Sequence, residues 1–584
     1  VTAADKANEQ RLPEDSVGGA DERPRASEER ALGDFTLGPE IWRTLPLSVV
    51  VGALSAGVAL GLLDLIGLFT HLAYYGNVGV GLVAPTTAHL GAWSVVVPVV
   101  GGLIVGLMAR VGSERIRGHG IPEAMETILV GGSKVEPRLA VLKPVSSAVS
   151  IGSGGPFGAE GPIILTGGAV GSVLAQFFHL SAIERRALLV AGACGGMAAV
   201  FGTPVAAALF GVELLVFEWK PRTMVPIAVS VAVADTLRAV MASHHLVRAA
   251  PLFPVPPHGA FSALSVTEAA AVGLAAGGLA WVCTTAVYGA EDAFSRLPLH
   301  WSWWPAIGGL VVGLAGLIDP RVLGVGYGVI GDELAGRLAV GALAVLLVVK
   351  LVAWSVALGS GTSGGILAPL LMMGAALGGI MGHAFGGAPS ATWALMGMAA
   401  TLAGVTRSPF TSVVFAFELT HDTGSLLPLL VVCTIAHLVS ALVLRRSILT
   451  EKVARRGFHV MREYAVDPLE ALFVRDVMRA EPPPPGTLAS TPYVAWPDET
   501  LRAVADRMAE HGLGVLPVVA DGTVVVGDHG AVSENPAPPG VVGVVSSLDL
   551  LAARRRQLEE ERDRHRVLRV WAPAARWTRR NGAP

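Results

Sequence analysis

Glu160 stands between Gly158 on one side and Gly161 and Pro162 on the other, at the head of an apolar run. Proline suits the first turn of a helix, and glycines let the backbone present its N–H groups. A helix start carries unpaired donors and the positive end of a dipole, which together bind an anion without a cationic side chain. The pattern recurs at Gly118, His119, Gly120, Ile121 and Pro122, and again at Gly365, Ile366, Leu367 and Pro369. Aimed at one spot inside a membrane, three such starts make a backbone anion site. A fixed lysine or arginine there holds an anion too tightly, whereas conduction needs weak binding. A carboxylate at that depth is costly unless paired or functional. Ionised, Glu160 takes the N–H groups an anion would take; protonated, it swings away. One group is then both gate and proton acceptor. The plainer alternative is a glutamate that neutralises its own helix start.

Such a site needs membrane-spanning elements around it, and the composition supplies them. The 584 residues are 52% hydrophobic and 15% charged, against about 25% charged in a soluble domain. A chain this long has ample exterior, so much of that exterior faces lipid. The formal net charge of −3 argues against nucleic acid as a partner. Cys194, Cys283 and Cys433 lie inside apolar runs without metal or redox spacing, and read as small buried hydrophobes. No metal or other cofactor is expected from these patterns. The 71 glycines are spread through apolar segments, where they allow close helix approach and broken helices.

Long apolar runs cover residues 47–68, 92–108, 187–216, 266–287, 306–318 and 340–358. Segments 121–130, 162–174 and 369–381 are too short to cross about 30 Å of hydrocarbon as straight helices. Arg43 precedes the first span, Arg110, Arg115 and Arg117 follow the second, and Arg445, Arg446, Lys452, Arg455 and Arg456 follow the last. By the positive-inside rule both termini are expected in the cytoplasm. Residues 1–38 are polar and aperiodic, expected to be a disordered tail, and lack the apolar core of a signal peptide.

An internal repeat joins the clusters. Gly158, Pro162, Gly167 and Gly171 recur as Gly365, Pro369, Gly374 and Gly378, offset by 207 residues. Pro204, Phe210, Glu213 and Leu214 recur as Pro409, Phe415, Glu418 and Leu419, offset by 205. Two matches at nearly one offset make the chain two related halves with a central site between them.

Beyond residue 457 the composition becomes soluble. Residues 458–495, with a proline run at 482–485, are expected to be a linker. Residues 496–556 read as a small α/β unit in the order β-α-β-β-α: an amphipathic helix over 501–511, strands at 514–519 and 541–545, and a second helix opened by Ser546 and Asp549. A mobile loop is expected over 527–539, and residues 557–584 are expected to be a charged tail, with a charged helix over 554–569.

The three clusters resemble the signature motifs of the ClC family of chloride channels and proton/chloride antiporters, in family order. The stretches 201–213 and 408–420 match as well, and the resemblance covers about residues 46–457. It implies an all-α polytopic membrane protein: an inverted-repeat bundle with broken helices, assembled as a homodimer in the bilayer with one anion pathway in each subunit. Glu160 resembles the family's external gating glutamate, and the N–H groups of Ile366 and Leu367 would help hold the central anion. Three departures matter. His119 replaces the family's coordinating serine; its imidazole either donates to an anion or points away. Leu449 falls where the family has a coordinating tyrosine. Leu214 falls where proton-exchanging members carry an internal glutamate, beside Glu213, which reads as a helix brace. The C-terminal unit resembles a cytoplasmic CBS domain, in which Ser546 and Asp549 match positions that contact adenine nucleotide in some members. One complete copy is visible where the family usually has two, so a structural or dimerising role stands equally.

The function implied is transport of chloride or a similar anion, as channel or proton-coupled exchanger, with nitrate, bicarbonate or fluoride as alternative substrates. A multi-pass protein of the plasma membrane is expected. An enzyme is disfavoured, because no zinc-protease motif or nucleophile elbow accompanies His119 and Glu160. A sensor built on the C-terminal unit is the third class, and it would bind ligand without moving anions.

Overall fold

The computed structural model describes residues 41–85, 90–129, 133–259, 261, 263–385, 389–457, 469, 472–482, 484, 493–520 and 541–562. The expected tail at 1–38, all of the tail at 557–584 beyond residue 562, the loop at 527–539 and most of the linker lie outside them. The chain divides into two compact units, residues 37–463 and a C-terminal unit that includes 464–584.

The larger unit is all helical. Its helices are α1 (Ile41–Thr70), α2 (Val96–Val111), α3 (Ile121–Leu129), α4 (Leu139–Gly152), α5 (Glu160–Gln176), α6 (Ala182–Phe201), α7 (Pro204–Phe210) and α8 (Pro221–Ser243). Then come α9 (Ala263–Ser295), α10 (Trp304–Ile318), α11 (Tyr327–Leu334), α12 (Val340–Gly359), α13 (Leu367–Ala384), α14 (Ser390–Thr406), α15 (Pro409–Thr420), α16 (Leu426–Val443) and α17 (Ile448–Arg455). Among the described residues, eight helical stretches are long and apolar enough to cross a membrane. The run at 187–216, expected as one span, is broken. Gly202 takes a left-handed conformation with φ 67° and Pro204 opens α7, because proline has no N–H to continue the ladder.

The repeat is carried into the packing. Within α1–α8 the contacts α5 with α6, α6 with α8, and α1 with α4 recur as α13 with α14, α14 with α16, and α9 with α12. The same close approach is built twice. A Cβ on Gly167 would meet the Gly192 carbonyl oxygen at 2.3 Å, and one on Gly374 would meet that of Gly397 at 2.5 Å. Only glycine lets these backbones touch.

The halves are inverted. Arg456, just past α17, pairs with Glu123 and Glu126 of α3 at 2.6 and 2.5 Å. Lys452 and Arg455 pair with Glu291 and Asp292 near the end of α9, each at 2.5 Å. The start of α3 and the end of α9 therefore share one face. From there α10 recrosses by about 22 Å at 1.5 Å per residue, which puts α11, the repeat mate of α3, at the opposite face.

The C-terminal unit contains α18 (Leu501–His511), β1 (Val515–Val519), β2 (Val541–Ser546) and α19 (Ser547–Arg562). The strands pair antiparallel, Val515 opposite Ser546 and Leu516 opposite Val545. A lone parallel bridge joins Ala495 to Val518 where an opening strand was expected. Val474 shares the core of Leu501, Val504, Leu516 and Val545, so the packed unit reaches back into the stretch read as linker.

Candidate anion pathway

The three glycine-proline clusters meet. Gly158 and Gly365 exchange backbone hydrogen bonds at 3.2 and 2.9 Å, while Gly118 donates to Thr362 and accepts from Gly364 at 3.3 and 3.4 Å. Gly118 and Gly120 hold φ near 90°, a left-handed conformation that suits glycine. A Cβ on Gly161 would lie 1.9 Å from the His119 carbonyl oxygen, and one on Gly120 would lie 2.4 Å from that of Gly161. Pro122, Pro162 and Pro369 each sit in the first turn of the helix they open. Glycine thus brings three helix starts within backbone contact, and proline turns each into a helix.

Glu160 is fully buried at the first position of α5. Its Oε1 accepts the N–H of Ala368 at 2.7 Å, in the first turn of α13. Its Oε2 is buried and has no hydrogen-bond partner among the described residues. The carboxylate folds back under Gly158, where a Cβ would come within 1.9 Å of Oε2. It therefore lies at the positive end of the second-half helix, where an anion would be held. The donor it takes is that of Ala368, one residue beyond Leu367; Ile366 and Leu367 are buried beside it.

The first cluster differs from expectation. Its helix start is already served by its own acid: Glu123 Oε2 accepts the Gly120 N–H at 2.9 Å, in the manner of a capping box. The buried ammonium of Lys143 donates to the carbonyls of Ile116 and Gly118 at 2.8 and 2.7 Å. His119 is buried and its Nδ1 has no hydrogen-bond partner among the described residues. A fourth cluster, passed over in the sequence, is the mate of the first: Gly324 and Gly326 lie 206 residues after Gly118 and Gly120, also at positive φ. It lacks a proline, and the spacing of Lys143 and Lys350, 207 residues like that of Gly158 and Gly365, was the available signal.

A family model described as voltage gated chloride channel matches residues 101–441, which is more than half of the chain. The chain belongs to the voltage-gated chloride channel family. It is 32% identical over 393 residues to a putative chloride channel protein, ClcB-like, of Ralstonia nicotianae, covering 65% of this chain and 90% of that one. It is 29% identical over 439 residues to a voltage-gated ClC-type chloride channel, ClcB, of Escherichia coli, covering 71% of this chain and all of that one. Among solved structures, a slow cyanobacterial Cl−/H+ antiporter superposes with a TM-score of 0.63 at 22% identity, covering 72% of this chain and 98% of that one. A CLC-type fluoride/proton antiporter gives 0.59 at 20% identity, covering 69% and 96%. At those identities the structures show the shared fold. A CBS domain model matches residues 474–527.

In this ClC chain the repeat-related glutamates trade places. Glu418 accepts the N–H groups of Val205 and Ala206 at the start of α7, at 2.9 and 2.8 Å. Glu213 accepts the N–H of Thr411 at the start of α15, at 2.8 Å. Each half caps a helix of the other. Leu214 and Leu449 are buried among apolar side chains, and neither position offers a group that binds a proton or donates to an anion.

The C-terminal unit uses its candidate nucleotide ligands internally. Asp549 Oδ2 accepts from Ser546 N and Oγ at 2.8 and 2.6 Å, and Arg479 donates to both residues at 3.3 Å. A nucleotide would have to displace that arginine.

Proposed function

We propose that this ClC chain moves chloride or a similar small anion across a membrane, through a pathway that the Glu160 carboxylate closes. One observation carries the reading: the carboxylate rests on the Ala368 N–H where two repeat-related helix starts meet, which is an anion's position occupied by a side chain. Protonation weakens its hold on the donor and frees the N–H groups for a passing anion. The names of the relatives point the same way, since chloride channels and chloride or fluoride antiporters share the fold.

Proton linkage is proposed at Glu160 alone. A passive or loosely coupled pathway is favoured by Leu214, which leaves no carboxyl at the internal position. With His119 and Leu449 in place of the hydroxyl ligands, the backbone does most of the coordination, and selectivity among chloride, fluoride, nitrate and bicarbonate is set by those N–H groups. We further propose a homodimer with both termini cytoplasmic in the plasma membrane, and a C-terminal unit that acts structurally, without adenine nucleotide.

Anion efflux from proteoliposomes, with chloride and external pH recorded together, tests this. Chloride flux that rises with acidification, and that becomes pH-independent in Glu160→Gln, supports the gate. Absence of flux for every anion tried, from folded protein, overturns it.

A further inference from the structure

The first cluster is reached along a loop that runs from solvent into the protein. Glu114 and Arg115 are exposed, Arg117 is half-buried, and Gly118, His119 and Gly120 are buried. Arg117 thus stands at the threshold, one residue before the backbone that meets α5 and the loop ahead of α13. Its guanidinium lies 4.6 Å from the centre of the Trp301 ring and 5.7 Å from that of Trp304, both at the start of α10. It also meets Gly361, where a Cβ would stand 2.7 Å from Nη2 and 2.8 Å from Nε. Gly361 holds φ 81°, and the next residue, Thr362, accepts the Gly118 N–H. The guanidinium is therefore held over the seam between the first and third clusters.

Its charge is not neutralised there. Among the described residues Arg117 has no ion pair and no hydrogen bond, and its Nε is buried without a partner. The carbonyls on either side of it in the chain, those of Ile116 and Gly118, are taken by Lys143. The basic residues near it are engaged as well. Arg115 faces Glu136 at 3.8 Å, while Lys452, Arg455 and Arg456 pair with Glu291, Asp292 and Glu123. Aromatic rings hold a guanidinium by its face and use none of its N–H donors. The stack keeps a long, flexible side chain in place and leaves its donors for an anion.

We propose that Arg117 is the entry cation of the pathway: on the face where α3 starts, it draws small monovalent inorganic anions from solution towards the first cluster. This rests on the reading of the joined helix starts as an anion pathway. An arginine at the centre of that site would hold an anion too tightly to release it. At the threshold, half-exposed, its field is damped by water and salt, so it concentrates anions without trapping them.

The test is chloride flux through the full chain in proteoliposomes, as initial rate against chloride concentration at constant ionic strength. Arg117→Gln is expected to raise the half-saturating chloride concentration about threefold, the scale of one partly screened charge, with the maximal rate near wild type. Arg117→Lys keeps the charge and should recover most of that shift. With about 1 M impermeant salt, which screens charges within roughly 3 Å, wild type and Arg117→Gln should converge. Arg117→Cys reads the charge on one folded protein, because Cys194, Cys283 and Cys433 are buried. A thiol reagent that adds a positive charge should lower its half-saturating concentration, and one that adds a negative charge should raise it. Equal effects of the two reagents, or a lower maximal rate at unchanged half-saturation in Arg117→Gln, would make the residue a structural brace and overturn the proposal. Wild-type flux with an unshifted Arg117→Gln overturns this inference alone, whereas absence of flux from folded wild type overturns the pathway reading with it. If Arg117→Gln does not fold, the two Arg117→Cys adducts decide.

Discussion

Gly161→Ala is the sharpest steric probe of the pathway. Its added methyl would lie 1.9 Å from the His119 carbonyl oxygen and 3.0 Å from the Gly365 Cα. Both neighbours are backbone, so no side chain can rotate away. To reach even the shortest tolerated contact, the starts of α3 and α5 must separate by about 1.1 Å, and overpacking of this kind costs about 1–3 kcal/mol. The same movement separates the helix starts that would hold an anion between them, and losing one charged hydrogen bond to that anion is worth about 1.5–3 kcal/mol, on the order of tenfold or more in anion affinity. Gly168→Ala, further along α5, is the control. Its methyl would find Leu189 Cδ2 at 3.3 Å, and exchange of Gly for Ala in a helix interior gains about 1 kcal/mol. Anion efflux and thermal unfolding in detergent are to be measured for both. Gly161→Ala should lose at least tenfold in flux and lower the melting temperature, with Gly168→Ala near wild type in both. Wild-type flux from Gly161→Ala would refute the argument that these helix starts form the site by touching.

Three further predictions follow from separate parts of the fold. Glu418→Gln should destabilise more than Glu213→Gln, by about 1–2 kcal/mol in thermal or denaturant unfolding, since Glu418 caps two N–H groups and Glu213 one. His258, in the loop before α9, and Asp422, in the loop before α16, lie 2.7 Å apart. Burial disfavours charge on both, yet their hydrogen bond keeps His258 above its ordinary value, and bonds from Ser425 and His258 keep Asp422 below the usual carboxylate range. The histidine's contribution is complete below its unfolded value and fades as pH rises through the raised one. The aspartate's is complete above its unfolded value and fades as pH falls through the depressed one. The stability lost in His258→Gln should therefore be largest between about pH 4 and 6.5, as read from melting temperatures across that range. Finally, His119→Ser should tighten chloride binding by a few fold in calorimetry, because it adds a hydroxyl donor beside the Gly120 loop; unchanged affinity would mean that side chain faces away from the anion.

Much of this was legible because membrane burial forces the sequence to be explicit. Glycine at 158, 161 and 365 and proline at 162 and 369 are needed for backbone contact, so the 207-residue offset exposed both the repeat and the site. Glu160 stood out because an acid in an apolar run demands a reason. What escaped was partnering. Glu123 follows Pro122 at a capping spacing, yet only the folded chain shows it taking the Gly120 N–H and Arg456. The trade of caps between Glu213 and Glu418 needs the halves to be inverted and interlocked, which no linear pattern states. The span expected over 187–216 failed because hydropathy averages over the break at Gly202 and Pro204.

A single carboxylate in an anion's place is the centre of the proposed gate. Anomalous scattering from bromide-soaked crystals of the wild type and of Glu160→Gln, grown at neutral pH, tests this directly. The variant is expected to gain a bromide peak at the Ala368 N–H, in the space the carboxylate fills, while the wild type lacks it. A full bromide peak there in the wild type with Glu160 unmoved, or no peak near α13 in the variant, would contradict it.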